Sequence, residues 1–160
     1  MSFHVQFLPS SAPDGAGVLD EEEPIDDPMT LAIEVCPVLE DLGAGFVAGG
    51  FGEERWPVDV ATDLATIVPQ LPDLIAALRA GAPGELDFFE QGIELLVSFT
   101  PRGDAVELRC ESRGARRPPT PVEHADLAAT QAMLTDLAAG FSHEVARLFP
   151  PLAGSPYLPA

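Results

Sequence analysis

Three stretches of this chain bring together residue types that do chemistry in other proteins. His143-Glu144 begins the pattern of a zinc protease, in which two imidazoles one helical turn apart hold the metal and the glutamate acts as base. Arg147 stands where the second imidazole must be, so no two-histidine site forms. Gly140-Phe141-Ser142 opens a nucleophile elbow, but Glu144 occupies the closing glycine's position and the surrounding pattern is helical, whereas an elbow needs a strand-to-helix turn. Glu85 and Asp87, two apart in a strand pattern, share one face and could divide acid and base work; the same spacing also describes the wet face of a sheet. Arg102-Gly103-Asp104 has the form of an adhesion tripeptide, and its turn-forming role accounts for it. With no Lys there is no Schiff base, and no Gly-Lys-Ser/Thr run cradles a phosphate. A nucleophile, a base and an oxyanion donor are not assembled, so the sequence predicts a protein that is not an enzyme.

Binding chemistry is better represented. Twenty-six Asp and Glu stand against eight Arg, a formal charge of −18. Such a surface attracts cationic partners and disfavours nucleic acid and anionic lipid. Residues 1–60 hold half of the carboxylates and one cation, Arg55. Asp20, Glu21, Glu22, Glu23, Asp26 and Asp27 crowd into a segment, 9–28, rich in Pro, Gly and Ser and without periodicity. The run lacks the spaced oxygen ligands, central Gly and closing Glu of a calcium loop, so neither a metal nor a cofactor is expected. It reads as a solvated loop or as an acidic, flexible arm that faces a partner. With Glu53 and Glu54 it supplies the candidate contacts to a basic protein. Arg113, Arg116 and Arg117 form the one basic patch, too small for a nucleic-acid footprint on so acidic a chain; they read as internal partners for carboxylates or as a solvated loop.

These residues need a scaffold. At 160 residues with 46% hydrophobic content, the chain predicts a single domain, 1–160, with an extended tail over 150–160. Met1 to Ser10 shows no secretory pattern and no segment reaches membrane-spanning length, so a cytoplasmic protein is expected. Cys36 and Cys110 read as reduced, buried thiols.

Phe3, Val5 and Phe7 alternate with polar neighbours as a short strand does. Thr30–Val35, Gly45–Phe51 and Arg55–Val60 are expected as further strands, with Trp56 in the core or at its rim. Thr62 or Asp63 is expected to cap a helix split by Pro69 and Pro72, with Leu71, Ile75 and Leu78 on its inner face and a stop at Gly81. Glu85–Glu90, Ile93–Thr100 and Ala105–Ser112 then alternate cleanly around turns at Gln91-Gly92 and Pro101–Asp104, predicting an antiparallel meander. Thr120, Pro121 and Glu123 have the form of a capping box, so a long helix is expected from there to Leu148, with Leu127, Thr130, Leu134, Leu137, Phe141 and Val145 on its apolar face. Pro150-Pro151 ends it, and Tyr157 and Leu158 are expected to pack back. The predicted class is α+β: a mostly antiparallel sheet ending in a three-strand meander, with one split helix and one long C-terminal helix packed on one face.

The run Trp56-Pro-Val-Asp-Val-Ala-Thr-Asp-Leu64, the helix ending Leu-Ile-Ala-Ala-Leu-Arg-Ala-Gly81, and Glu85-Leu-Asp-Phe-Phe-Glu-Gln-Gly-Ile93 with its hairpin resemble small bacterial immunity proteins. The resemblance covers residues 44–148 and rests on the order and character of these segments. It implies a protein that binds and neutralises a secreted polymorphic toxin, and it transfers no contact residue, because interfaces in such families vary with the toxin. With the charge, it predicts an immunity protein whose partner is a basic toxin domain. The alternatives are a structural or adaptor module of a phage or secretion assembly, using the wet sheet face and the pair Phe88 and Phe89, and a small enzyme using surface carboxylates.

Overall fold

A computed structural model describes residues 2–20 and 24–160. The protein is α+β, with a two-stranded sheet, a four-stranded antiparallel sheet, a joined helical segment over 60–79 and a long C-terminal helix. Among the described residues no helix is long and apolar enough to cross a membrane.

Strand β1 (His4–Leu8) buries Val5 and Phe7 and leaves Gln6 and Leu8 outside. Helix α1 (Pro28–Asp41) follows where the sequence predicts a strand over Thr30–Val35. The reason is visible in its inner face: Leu31, Ala32, Val35, Cys36 and Leu39 are buried, a helical spacing that the β-branched residues between them obscure. Asp27 caps the helix by accepting the Thr30 N–H at 2.7 Å, and Pro28 fits the first turn, where no N–H is needed. Strand β2 (Gly45–Gly49) pairs antiparallel with β1, Val5 opposite Ala48 and Phe7 opposite Phe46.

The turn after β2 is tight. Gly50 has φ +126°, and a side chain there would meet the backbone of Phe3. The strand expected over Arg55–Val60 does not form: Pro57 has no donor, and the segment meets β2 through one bond, Trp56 N–H to Ala48 O at 2.8 Å. Nor is the next helix capped by Thr62 or Asp63. Asp59 caps it, accepting from Thr62 N–H at 2.8 Å and Asp63 N–H at 3.1 Å. From there the chain runs through a π turn (Val60–Leu64), a short helix α2 (Ala65–Ile67), a 3-10 turn (Val68–Gln70) and helix α3 (Leu71–Arg79), which buries Leu71, Leu74, Ile75 and Leu78.

Strands β3 (Gly84–Phe88), β4 (Leu95–Arg102) and β5 (Ala105–Ser112) form the expected meander, with Val97 opposite Cys110 and Phe99 opposite Leu108 on the core face. A fourth strand extends it. Val122–Asp126 (β6) pairs with β5, Val106 opposite Ala125, and the capping box expected at Thr120–Glu123 does not form. Asp126 is the cap instead, accepting the Ala129 N–H at 2.8 Å, and helix α4 (Leu127–Leu148) begins where the apolar helical period begins. Proline at 121 suits a helix start and an extended segment alike, and pairing with β5 decides between them.

The two sheets share one core. Phe3 lies 5.8 Å from both Phe51 and Phe99, and Trp56 meets Phe88 edge-on at 5.2 Å, so one aromatic cluster joins β1, the turn after β2 and the larger sheet. Glu123 adds a polar link, its carboxylate accepting the Phe3 N–H at 2.6 Å and the Phe51 N–H at 2.5 Å. Phe7 packs edge-on against Phe141 of α4 at 6.3 Å. Leu152, Tyr157 and Leu158 pack against the core from the tail, which makes a 3-10 turn at Pro150–Leu152.

Candidate groove and acidic surface

Residues 10–17 are held against the end of α4. Gly15 and Gly17 donate their N–H groups to the carbonyls of Arg147 and Leu148, both at 2.9 Å, and so satisfy acceptors that a helix end leaves open. Arg147 reaches back to the carbonyls of Ala12 (2.5 Å) and Ser10 (3.1 Å) and to Asp14 (3.2 Å). Glu144, the residue of the zinc-protease fragment, is 1% exposed; it pairs with Arg147 at 2.7 Å and accepts the Ser10 N–H. Its role is to anchor the N-terminal segment, and among the described residues no group of three His, Cys, Asp or Glu is placed to hold a metal.

The predicted contact residues divide. Asp20 and Asp26 are exposed, Asp27 is occupied as the α1 cap, and Glu21, Glu22 and Glu23 lie outside the described residues. The hydrogen bond from Thr30 holds the Asp27 carboxyl below its ordinary range. Glu53 pairs with Arg116 at 2.5 Å, while its neighbour Glu54 is exposed. Arg113 pairs with Asp87 at 2.8 Å. Two of the three linker arginines are therefore internal partners for carboxylates, and Arg117 bonds the linker's own backbone at Gly114 and Arg116.

The sequence reading misses a two-lobed groove between α1, the joined helical segment and the β3 edge. The smaller lobe, about 310 Å³, is mostly apolar and lies between Met29, Ile33 and Pro37 of α1, Ala65 of α2, and Phe89. The larger lobe, about 620 Å³, runs along Asp73, Leu74 and Ala77 of α3 and Glu85 and Asp87 of β3. Met29, Thr66 and Phe89 line both. Met29 and Ile33 are each 55% exposed and Phe89 is 52% exposed, large apolar side chains left open to water. The pair Phe88 and Phe89 splits, Phe88 being buried against Trp56. A helical reading of α1 would have placed Met29 and Ile33 one turn apart on its outer face; the strand expectation hid them.

Gln70 fixes the groove's floor. Its side-chain amide donates to Asp87 O at 2.9 Å and accepts from Asp87 N–H at 2.8 Å, standing in for a neighbouring strand at the edge of the sheet. Glu85 and Asp87 share one side of β3, as their spacing predicts, and Asp87 is engaged by Arg113.

Near the smaller lobe, two aspartates titrate apart. Burial pushes Asp63 up to about 6, and the nearby charges of Asp59 and Glu90 add to this. Desolvation also raises Asp59, but hydrogen bonds from Thr62 and Asp63 outweigh it and hold that carboxyl low. Asp63 is 5% exposed and caps the Asp59 N–H at 2.9 Å, a structural position. Cys36 and Cys110 are buried free thiols; burial raises both, Cys110 to about 12, so neither supplies a thiolate at neutral pH.

No protein-family model matches the chain, and comparison with curated proteins and with solved structures gives no match.

Proposed function

We infer that the protein acts by binding rather than by catalysis, as an immunity protein that neutralises a cognate basic toxin in the cytoplasm of the producing cell. The observation that carries this reading is the distribution of charge. Among the described residues Arg102, Arg109, Arg113, Arg116 and Arg147 pair with the chain's own carboxylates. Asp20, Asp26, Glu54, Asp73 and Glu85 remain exposed on a chain of formal charge −18. A surface of that kind accelerates encounter with a cationic protein and rejects nucleic acid. The likeness of residues 44–148 to immunity proteins points the same way.

The test is co-expression with the C-terminal domain of a toxin encoded beside this gene, chosen for a basic composition. Rescue of growth, with a stoichiometric complex whose association rate falls steeply with salt, supports the reading. Unrelieved toxicity without complex formation overturns it. A second reading, an adaptor module, draws on the exposed Phe89; association that is insensitive to salt and lost on substitution of Phe89 favours it.

A further inference from the structure

We propose that the two-lobed groove is a docking site for a cationic segment of a partner protein, which places an apolar side chain between Met29, Ile33 and Phe89 and its Arg or Lys residues along Asp73, Glu85 and Glu90. The proposal rests on the reading of the protein as a binder of basic partners and locates where that partner is held.

Charge complementarity selects the occupant. The described residues lining the two lobes include Asp73, Glu85, Asp87 and Glu90 and not one Arg, Lys or His. Arg113 neutralises Asp87 from the linker, while Asp73 and Glu85 are exposed. A neutral or acidic segment would bring its own groups against these carboxylates without compensation; a basic one pairs with them. The apolar lobe then supplies what charge alone lacks, a fixed position for one side chain. At about 310 Å³ it takes a single anchor of the size of Leu, Met or Phe, and a central apolar anchor within a polar rim is how such contacts concentrate their affinity.

Two backbone features add acceptors for the partner. Pro37 has no N–H, so the Ile33 carbonyl loses its helical donor, and both residues line the apolar lobe. At the β3 edge, Gln70 occupies the outward groups of Asp87. Alternation along the antiparallel ladder turns the outward groups of Glu85, two residues away, to the same edge within the larger lobe. The Ile33 carbonyl and the outward carbonyl of Glu85 favour a segment rich in donors, as Arg is.

Synthetic peptides test this on the full chain: one of Arg and Leu, one of Arg and Ala, and one of Glu and Leu, all of equal length. Titration into isotope-labelled protein is expected to shift the amides of Ile33, Thr66 and Phe89 with the Arg/Leu peptide alone. Ile33→Asp and Phe89→Asp are expected to weaken that peptide by about tenfold or more, and Asp73→Arg with Glu85→Arg to weaken it and flatten its salt dependence. Asp20→Arg serves as the control that leaves peptide affinity unchanged. These side chains are exposed, and Ile33→Ser and Phe89→Ser repeat the test if an aspartate disturbs folding. Equal binding of the Arg/Ala peptide, shifts confined to another face, or unchanged affinity in the apolar-lobe variants overturns the proposal. If a cognate toxin is neutralised equally by Ile33→Asp and Phe89→Asp, the groove fails and the immunity reading stands. If the peptides behave as expected and no basic toxin is bound, the immunity reading fails and the groove stands.

Discussion

Arg147 closes on Glu144 at 2.7 Å across one turn of α4, and the carboxylate it meets is almost wholly buried. The same guanidinium holds the carbonyls of Ser10 and Ala12, so one residue ties the N-terminal segment to the last helix.

Removing the cation strands the anion. Arg147→Met is expected to destabilise the fold, since it leaves the buried Glu144 carboxylate without its partner. The double substitution with Glu144→Leu is expected to recover a large part of that loss, because no charge then stays buried. Urea unfolding of the three variants checks the order; a double variant less stable than Arg147→Met contradicts it.

Glu123 joins the two sheets through the N–H groups of Phe3 and Phe51. Glu123→Ala leaves both donors without their charged acceptor, an expected loss of about 3 kcal/mol. Glu123→Gln keeps one acceptor oxygen and is expected to lose about half as much. Amide exchange at Phe3 and Phe51, faster than at β4 in both variants, separates this from a global effect.

Asp63 makes stability depend on pH in a defined window. Its carboxyl moves from 3.8 in the unfolded chain to about 6 in the fold. Between those values the folded state keeps a proton that the unfolded state has released. The unfolding free energy therefore falls as pH rises across the window: the contribution is fully present below the lower value and lost above the upper one. Asp63→Asn removes this component, so wild type is expected to show the steeper decline between about pH 4 and 6. Parallel curves from thermal melts contradict it.

Reversal of exposed carboxylates separates steering from structure. Asp20→Lys, Asp26→Lys and Glu54→Lys are expected to slow association with a basic partner severalfold and lower its salt dependence, with melting unchanged. Glu53→Lys sets two cations together at Arg116 and is expected to lower the melting temperature as well. Asp27→Lys removes the α1 cap and is expected to destabilise that helix. Stopped-flow association measured beside thermal melts distinguishes the two groups.

The meander was legible because Val97, Phe99, Val106 and Leu108 alternate with polar residues around a Gly103 turn, a signal local to each strand. β6 was hidden by Thr120, Pro121 and Glu123, which imitate a helix start; the residue that looked like a capping glutamate is spent on Phe3 and Phe51, more than seventy positions away in each case. α1 was missed because Ile33 and Val35 carry strand propensity while the burial pattern around them is helical, and tertiary contact overrides the weaker preference. The pairing of Arg113 and Arg116 with carboxylates was one of two open readings of the linker, but their particular partners depend on β3 and the turn after β2 being brought to it. The groove was the least legible feature, since it exists only once α1 stands beside the joined helical segment and Phe89.

The place of β1 in the chain has a consequence for how the protein comes off the ribosome. Phe3 waits for Glu123, 120 residues later, and Phe7 for Phe141. The meander can close on itself as soon as its own hairpins emerge, but β1 has no finished environment until Glu123 and Phe141 have been made. Loop closure over that distance delays folding, so the last event is expected to be the seating of β1, and until then Phe3, Val5 and Phe7 are apolar side chains without their cover.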